Sequence, residues 1–254
     1  MNTSSIQQRR SFLKAAAGSS LAALSGTAGA QAFSFVPNQR YPDPSVLILD
    51  PSFAKYRIYS STVEQVATGF RWAEGPVYFP KGGYLLFSDI PNNRIMKFDE
   101  ATGKTTVYRD KANYANGNAR DRQGRLVTCE HSVTRRVTRT EHNGKITVLA
   151  DSFEGKRLNA PNDIVMKSDG AIYWTDPAGG LMIPGMVAED CQQYLDFNGV
   201  FRLSPDGKTV TLVVREGETP NGLAFTPDEK VLYVNDTRLA HIRAFDVKAD
   251  GTLG

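Results

Sequence analysis

Glu74-Gly75-Pro76-Val77-Tyr78-Phe79, a Lys81-Gly82-Gly83 turn, Tyr84-Leu85-Leu86-Phe87-Ser88-Asp89, then Arg94-Ile95-Met96-Lys97-Phe98-Asp99 is the stretch whose reading decides the fold. Short apolar or alternating runs bounded by Gly, Asp, Asn or Pro are the pattern of antiparallel strands joined by tight turns. The plan returns three times. The second unit starts at Asn116-Gly117, turns at Gln123-Gly124, and continues Leu126-Val127-Thr128-Cys129-Glu130 and Arg136-Val137-Thr138-Arg139. The third runs Pro161-Asn162-Asp163-Ile164-Val165-Met166, turns at Ser168-Asp169-Gly170, and continues Ile172-Tyr173-Trp174-Thr175-Asp176 and Gly199-Val200-Phe201-Arg202-Leu203. The fourth is Pro220-Asn221-Gly222-Leu223-Ala224-Phe225, Val231-Leu232-Tyr233-Val234-Asn235-Asp236 and Ile242-Arg243-Ala244-Phe245.

The unit starts at 74, 116, 162 and 221 lie 42, 46 and 59 residues apart, and a four-stranded propeller blade takes ~40–45 residues. The long third interval holds Pro177 to Asn198, an irregular insertion with Met182, Met186 and Tyr194 that reads equally as a pocket cover or as surface decoration. No βαβ alternation and no helical stripe is visible, so the class is all-β. A solenoid is the competing repeat architecture, and the regular hairpins favour a β-propeller of four-stranded blades. The extended-looking Tyr56-Arg57-Ile58-Tyr59 is expected to add a strand to the last blade. Because the fourth unit reaches Gly254 in a turn, before an outer strand, residues 33–254 are expected to form a propeller domain incomplete at its C-terminus, with about four blades present.

Residues 1–32 are expected to be a twin-arginine signal peptide. Arg9-Arg10-Ser11-Phe12-Leu13-Lys14 precedes a small-residue apolar run from Ala15 to Ala30, with a small-x-small cleavage site at its end. That places the mature protein in the periplasm or outside the cell. The run is too short and too rich in Gly and Ser for a spanning helix, which takes about 20 apolar residues, so no membrane association is expected after cleavage. Arg9, Arg10 and Lys14 account for the whole formal charge of +3. A nearly neutral mature chain has no basic stripe for nucleic acid. Two cysteines, Cys129 and Cys191, are too few for a stapled scaffold, and Cys129 reads as a buried thiol.

In a propeller the inner strands surround a channel, so equivalent positions on successive blades face one another. The residues opening these strands are Glu74, Asn116, Asn162 and Asn221, with Asp163 beside Asn162. One carboxylate and three amides around an axis are hard oxygen donors suited to Ca²⁺, Mg²⁺ or Mn²⁺. The competing reading is that Asn and Asp before Gly are ordinary turn residues. A second series, Asp89, Glu130, Asp176 and Asp236, closes the second strand of each unit. A feature present in every unit is better read as scaffold. His131 follows Glu130 at the same rim, where it either reaches a substrate or is simply packed.

The same residues carry a family resemblance. Glu74-Gly75-Pro76-Val77, Phe87-Ser88-Asp89-Ile90, Asn159-Ala160-Pro161-Asn162-Asp163, Tyr173-Trp174-Thr175-Asp176-Pro177 and Pro220-Asn221-Gly222-Leu223-Ala224-Phe225 resemble the gluconolactonase / senescence marker protein / luciferin-regenerating enzyme family. Asp121-Arg122-Gln123-Gly124-Arg125-Leu126-Val127 through Cys129-Glu130-His131 is similar to its bacterial gluconolactonase branch. The resemblance spans nearly all of the mature chain. It implies six blades around one divalent cation, calcium first, with magnesium, manganese or zinc as alternatives. It implies Glu74 and Asn221 as metal ligands, Asn162 as a ligand of metal or of substrate depending on the branch, and Asn116 as substrate-facing; His131 joins the substrate-facing set only through its place at the rim. Two departures matter. Ala160 stands where some members have a substrate-contacting arginine, and no Pro-Asp-Gly follows Asn221. Pro205-Asp206-Gly207 precedes Asn221 in a different part of its unit, so the resemblance puts the catalytic aspartate beyond Gly254 and leaves the catalytic residue unassigned.

The function expected from this is metal-dependent hydrolysis of a small sugar lactone to the aldonic acid. The metal would polarise the carbonyl and a carboxylate would activate water. No Gly-x-Ser-x-Gly elbow points to a covalent serine route. Two alternatives stay open: a non-catalytic propeller that binds a sugar or protein, and a hydrolase of another lactone or ester.

Overall fold

The structure, a computed structural model, describes residues 41–184 and 190–254. The leader expected at 1–32, and Met186 of the insertion, lie outside the described residues. The chain divides into a unit ending at Gln65 and a second running from Val66 to Gly254.

In the first unit Asp50 caps a 3-10 helix, Pro51–Tyr56, by accepting the Ser52 N–H at 2.8 Å. An aspartate cap followed by proline at the first helical position fixes this turn locally. Tyr56-Arg57-Ile58-Tyr59 is therefore a helix end and a turn, and not the strand its alternation suggests.

The second unit is all β among the described residues, apart from two short 3-10 turns. Blade one comprises β1 (Ala73–Phe79), β2 (Tyr84–Asp89), β3 (Arg94–Asp99) and β4 (Lys104–Asp110). Blade two comprises β5 (Ala115–Arg120), β6 (Leu126–Glu130), β7 (Arg136–Thr140) and β8 (Ile146–Ala150), followed by a small hairpin, β9 (Ser152–Phe153) and β10 (Lys156–Arg157). Blade three comprises β11 (Ile164–Met166), β12 (Ile172–Asp176), β13 (Gly199–Leu203) and β14 (Val210–Val214). Blade four comprises β15 (Pro220–Phe225), β16 (Val231–Asp236) and β17 (His241–Asp246), with a Val247–Leu253 bridge starting a fourth pairing. Each sheet is an antiparallel meander in sequence order. No helix among the described residues is long and apolar enough to cross a membrane.

Packing explains why the second strands read as unbroken apolar runs. The core lies between neighbouring blades. Phe79, Leu86 and Ile95 of blade one meet Ala115 and Leu126 of blade two. Val127, Cys129 and Val137 of blade two meet Ile172, Trp174 and Phe201 of blade three. Tyr173 and Val200 of blade three meet Leu223, Leu232 and Val234 of blade four. β12 therefore points Ile172 and Trp174 one way and Tyr173 the other, and every residue in it is buried. Full burial of such side chains contributes about 1.5–3 kcal/mol each. Trp174 and Phe201 stack with centroids 5.5 Å apart, and Tyr173 meets Phe225 edge-on.

Within the insertion, Ala178–Met182 forms a 3-10 turn whose Leu181 packs with Ala160 and Ala178, while Leu195 enters the core. Met182 is mostly exposed, and Tyr194 lies over the Arg135 guanidinium.

Candidate functional site

Three of the four inner strands carry a bulge where they open, between Glu74 and Val77, Ala115 and Asn118, and Pro220 and Leu223. A bulge re-aims the side chains beside it. The glycines that follow let the blades close up. A Cβ on Gly75, itself at φ +60°, would lie 2.1 Å from the Asn116 carbonyl oxygen, and one on Gly117 would lie 2.5 Å from that of Asn162. The Gly117 N–H donates to this same Asn162 carbonyl at 2.7 Å. Blade three breaks the series by placing Asp163 in the glycine slot. Its Oδ2 accepts the Leu223 N–H of blade four at 3.1 Å.

These backbones bring Glu74, Asn116, Asn162 and Asn221 to the wall of one cavity of about 550 Å³, shared with Asn118 and Asp163. Five of the six residues singled out from sequence, all but His131, are thus together. Asn118 is scaffold: its amide nitrogen donates to the Gly75 and Asn116 carbonyls and to Ser88 Oγ, and its oxygen accepts from Thr128. The other groups keep unused oxygen. Asn162 Oδ1 is buried without a hydrogen-bond partner. The Asn221 nitrogen donates to Thr237 Oγ1 at 3.0 Å, which leaves its oxygen as the acceptor. Glu74 Oε1 accepts the Trp72 indole N–H at 2.7 Å, which fixes the carboxylate. Burial, and then the Glu74 charge, raise the Asp163 carboxyl above the usual carboxylate range, against the bonds it accepts from the backbone of Ile164 and Leu223.

His131 is not among the residues lining this cavity. Its ring is buried against Gly180, where an added Cβ would fall 1.8 Å from the ring. Neither nitrogen has a partner, and burial pushes its pKa down to about 4, so the imidazole is neutral at pH 7. The sequence signal, adjacency to Glu130, did not carry the glycine that packs on it from the insertion.

The strand-end acids are scaffold, as their recurrence suggests. Asp89 accepts from the Arg71 and Trp72 backbone, Asn92 and Arg94. Burial alone would raise its pKa, but these bonds together hold it low. Glu130 accepts from Asn113, Thr134, Arg136 and Thr138. Asp236 accepts four backbone N–H groups, from Glu218, Thr219, Arg238 and Leu239. Asp176 is the exception. It accepts the Asn159 N–H at 2.7 Å, but its Oδ1 is buried without a partner and burial pushes its pKa up to about 7. Both cysteines are free, Cys129 buried and Cys191 exposed.

Among the described residues no three His, Cys, Asp or Glu side chains cluster as a metal site. A cation held here would rely on amide oxygens, and the donor set fits that chemistry. It offers one fixed carboxylate, an orphaned buried amide oxygen and an amide turned by Thr237, all hard donors.

Comparison with known proteins agrees with this architecture. The family profile described as "SMP-30/Gluconolactonase/LRE-like region" matches residues 72–254. A gluconolactonase of Zymomonas mobilis is 34% identical over 192 residues, which are 70% of this chain and 52% of that protein. A solved gluconolactonase of Xanthomonas campestris superposes with TM-score 0.69 at 38% identity, covering 74% of this chain and 62% of that one. Regucalcin of Agrobacterium tumefaciens, described as a calcium-binding protein, shares the fold at TM-score 0.56 and 19% identity, over 73% of this chain and 58% of that one. The chain spans about half the length of the curated relatives it matches.

Proposed function

Since this chain belongs to the SMP-30/gluconolactonase/LRE-like family, we propose that it hydrolyses a small sugar lactone to the open hydroxy acid with one divalent cation, calcium first, as cofactor. The single observation that carries the reading is Asn162, which lines one cavity with Glu74, Asn116 and Asn221 and whose buried Oδ1 has no hydrogen-bond partner. Leaving such an acceptor empty costs about 1–3 kcal/mol, and a ligand would offset that.

Glu74, Asn162 and Asn221 would hold the cation. When bound, it supplies Lewis-acid stabilisation of the negative charge that develops on the lactone carbonyl oxygen. Asn116 presents an amide to the sugar hydroxyls and fixes the ring's orientation. Asp163, the second carboxylate lining the cavity, would take the proton of the water that attacks the carbonyl carbon. The ring C–O bond then breaks as Asp163 returns that proton to the leaving ring oxygen, which becomes the new hydroxyl. We also propose export through the twin-arginine leader, since Arg9-Arg10 precedes the apolar run.

The test is ring opening of an aldonolactone followed by pH-stat, with the spontaneous rate subtracted. Turnover that disappears with a chelator and returns with Ca²⁺ is expected. Calcium binding without turnover would replace the hydrolase with a sugar-binding propeller. Chelator-resistant turnover would remove the cation from the reading.

A further inference from the structure

Thr175 is fully buried in β12 and lines no part of the cavity, yet it bonds to three of the residues discussed above. The Asn162 N–H donates to the Thr175 carbonyl at 2.8 Å, and the Thr175 N–H donates to the Asp163 carbonyl at 3.0 Å. The Asp163 N–H donates to Thr175 Oγ1 at 3.0 Å, and that hydroxyl donates onward to the Asn221 carbonyl at 2.7 Å. A threonine hydroxyl has one proton to give and lone pairs to receive; here it receives from the inner strand of its own blade and gives its proton across the gap to blade four. Such a hydroxyl fixes the distance between two backbones that each present a site oxygen.

The other blades show why the hydroxyl matters. Ser88 Oγ, at the equivalent place in blade one, donates to the Asn116 carbonyl at 2.6 Å. Cys129 in blade two reaches the Asp163 carbonyl only through a thiol at 3.9 Å. All three precede the strand-end acid and point forward onto the next inner strand. Ser88 Oγ also receives a bond, from the Asn118 amide, whereas Thr175 receives its bond from the backbone of the Asn162-Asp163 pair itself.

We infer that Thr175 is a positioning residue that sets the separation of Asn162 and Asn221. The inference rests on the site proposed above, acting through it without touching a ligand. Thr175→Val is nearly isosteric and removes the hydroxyl, leaving the Asp163 N–H and the Asn221 carbonyl without their bonds. Thr175→Ser keeps it.

Two measurements on the full chain test this. With calcium titrated by calorimetry, Thr175→Val should bind about tenfold more weakly, the scale of an outer-shell loss, and Thr175→Ser should stay within about twofold of the parent. Equal affinity of Thr175→Val and the parent would overturn the inference. The second readout needs no metal. In chelator, amide exchange of Asp163 and Leu223 should speed by about tenfold in Thr175→Val, with blade-one amides unchanged. Uniform acceleration across blades would mark a merely structural residue and overturn the role. A parent chain that binds no calcium would refute the cation, and amide exchange would then decide Thr175 by itself.

Discussion

Each blade carries two oxygen-bearing positions at one rim, and they have opposite fates. The strand-end series, Asp89, Glu130 and Asp236, accepts bonds from its own loops. The strand-start series, Glu74, Asn116, Asn162 and Asn221, faces a common cavity with acceptor capacity left over. Both recur at the same spacing, and the acids are the more uniform set. Recurrence therefore marks scaffold as readily as function, and the distinguishing property is the hydrogen-bond capacity that folding leaves unused.

The sharpest way to break the comparison is Asp89→Ala. Asp89 has no exposed side-chain surface and pairs with Arg94 at 2.8 Å. Removing it strands the Arg71 and Trp72 N–H groups and the guanidinium, and should cost about 3 kcal/mol in a urea titration. A loss below about 1 kcal/mol would mean the strand-end acids are dispensable. In the strand-start series the outcome should invert. Glu74→Gln should weaken calcium about 100-fold, near 2.7 kcal/mol, while the metal-free unfolding midpoint holds or rises, because Asp163 loses a neighbouring like charge. Unchanged calcium affinity would remove Glu74 from the site.

Asp176 tests the comparison from inside the acidic series. Its carboxyl is raised by burial to about 7, so its contribution to stability is complete below pH ~4 and is lost as pH rises through 7. His131 runs the other way: held down to about 4, its contribution is present above pH ~6.5 and is lost as pH falls through 4. Asp176→Asn should leave stability unchanged near pH 4 and raise it by about 2 kcal/mol at pH 8, read from paired unfolding curves. Equal curves at pH 8 would place the orphaned oxygen in contact with water.

The four units, their hairpins and the cavity residues were legible because turn chemistry and strand period repeat at near-constant spacing, and because the bulged strand starts fall at equivalent places. Asp163 was visible as a second carboxylate, though not as the residue that bonds to blade four. The failures were non-local or overruled. His131 is sealed by Gly180, some fifty residues on, and nothing beside His131 announces it. Asp176 differs from Asp89 through the N–H groups that reach it and the one oxygen that none reaches, which no strand pattern encodes. Tyr56-Arg57-Ile58-Tyr59 alternates like a strand, yet the Asp50-Pro51 cap just before it was the stronger signal.

The smallest expected effect concerns the direction of a single amide. Asn221 and Asn162 are chemically identical, but Asn162 Oδ1 is buried and has no alternative partner, whereas Asn221 is steered by Thr237 at an exposed hydrogen bond. Such a bond contributes roughly 0.5–1.5 kcal/mol, so without it the Asn221 amide samples both orientations and presents nitrogen part of the time. Thr237→Val should therefore weaken calcium about threefold, near 0.6 kcal/mol, with unfolding unchanged. Asn221→Asp has oxygen on both sides and no wrong orientation, so adding Thr237→Val to it should change calcium affinity by less than the same substitution does in the parent. An equal loss in both backgrounds would show that Thr237 acts on blade four's backbone and not on the amide.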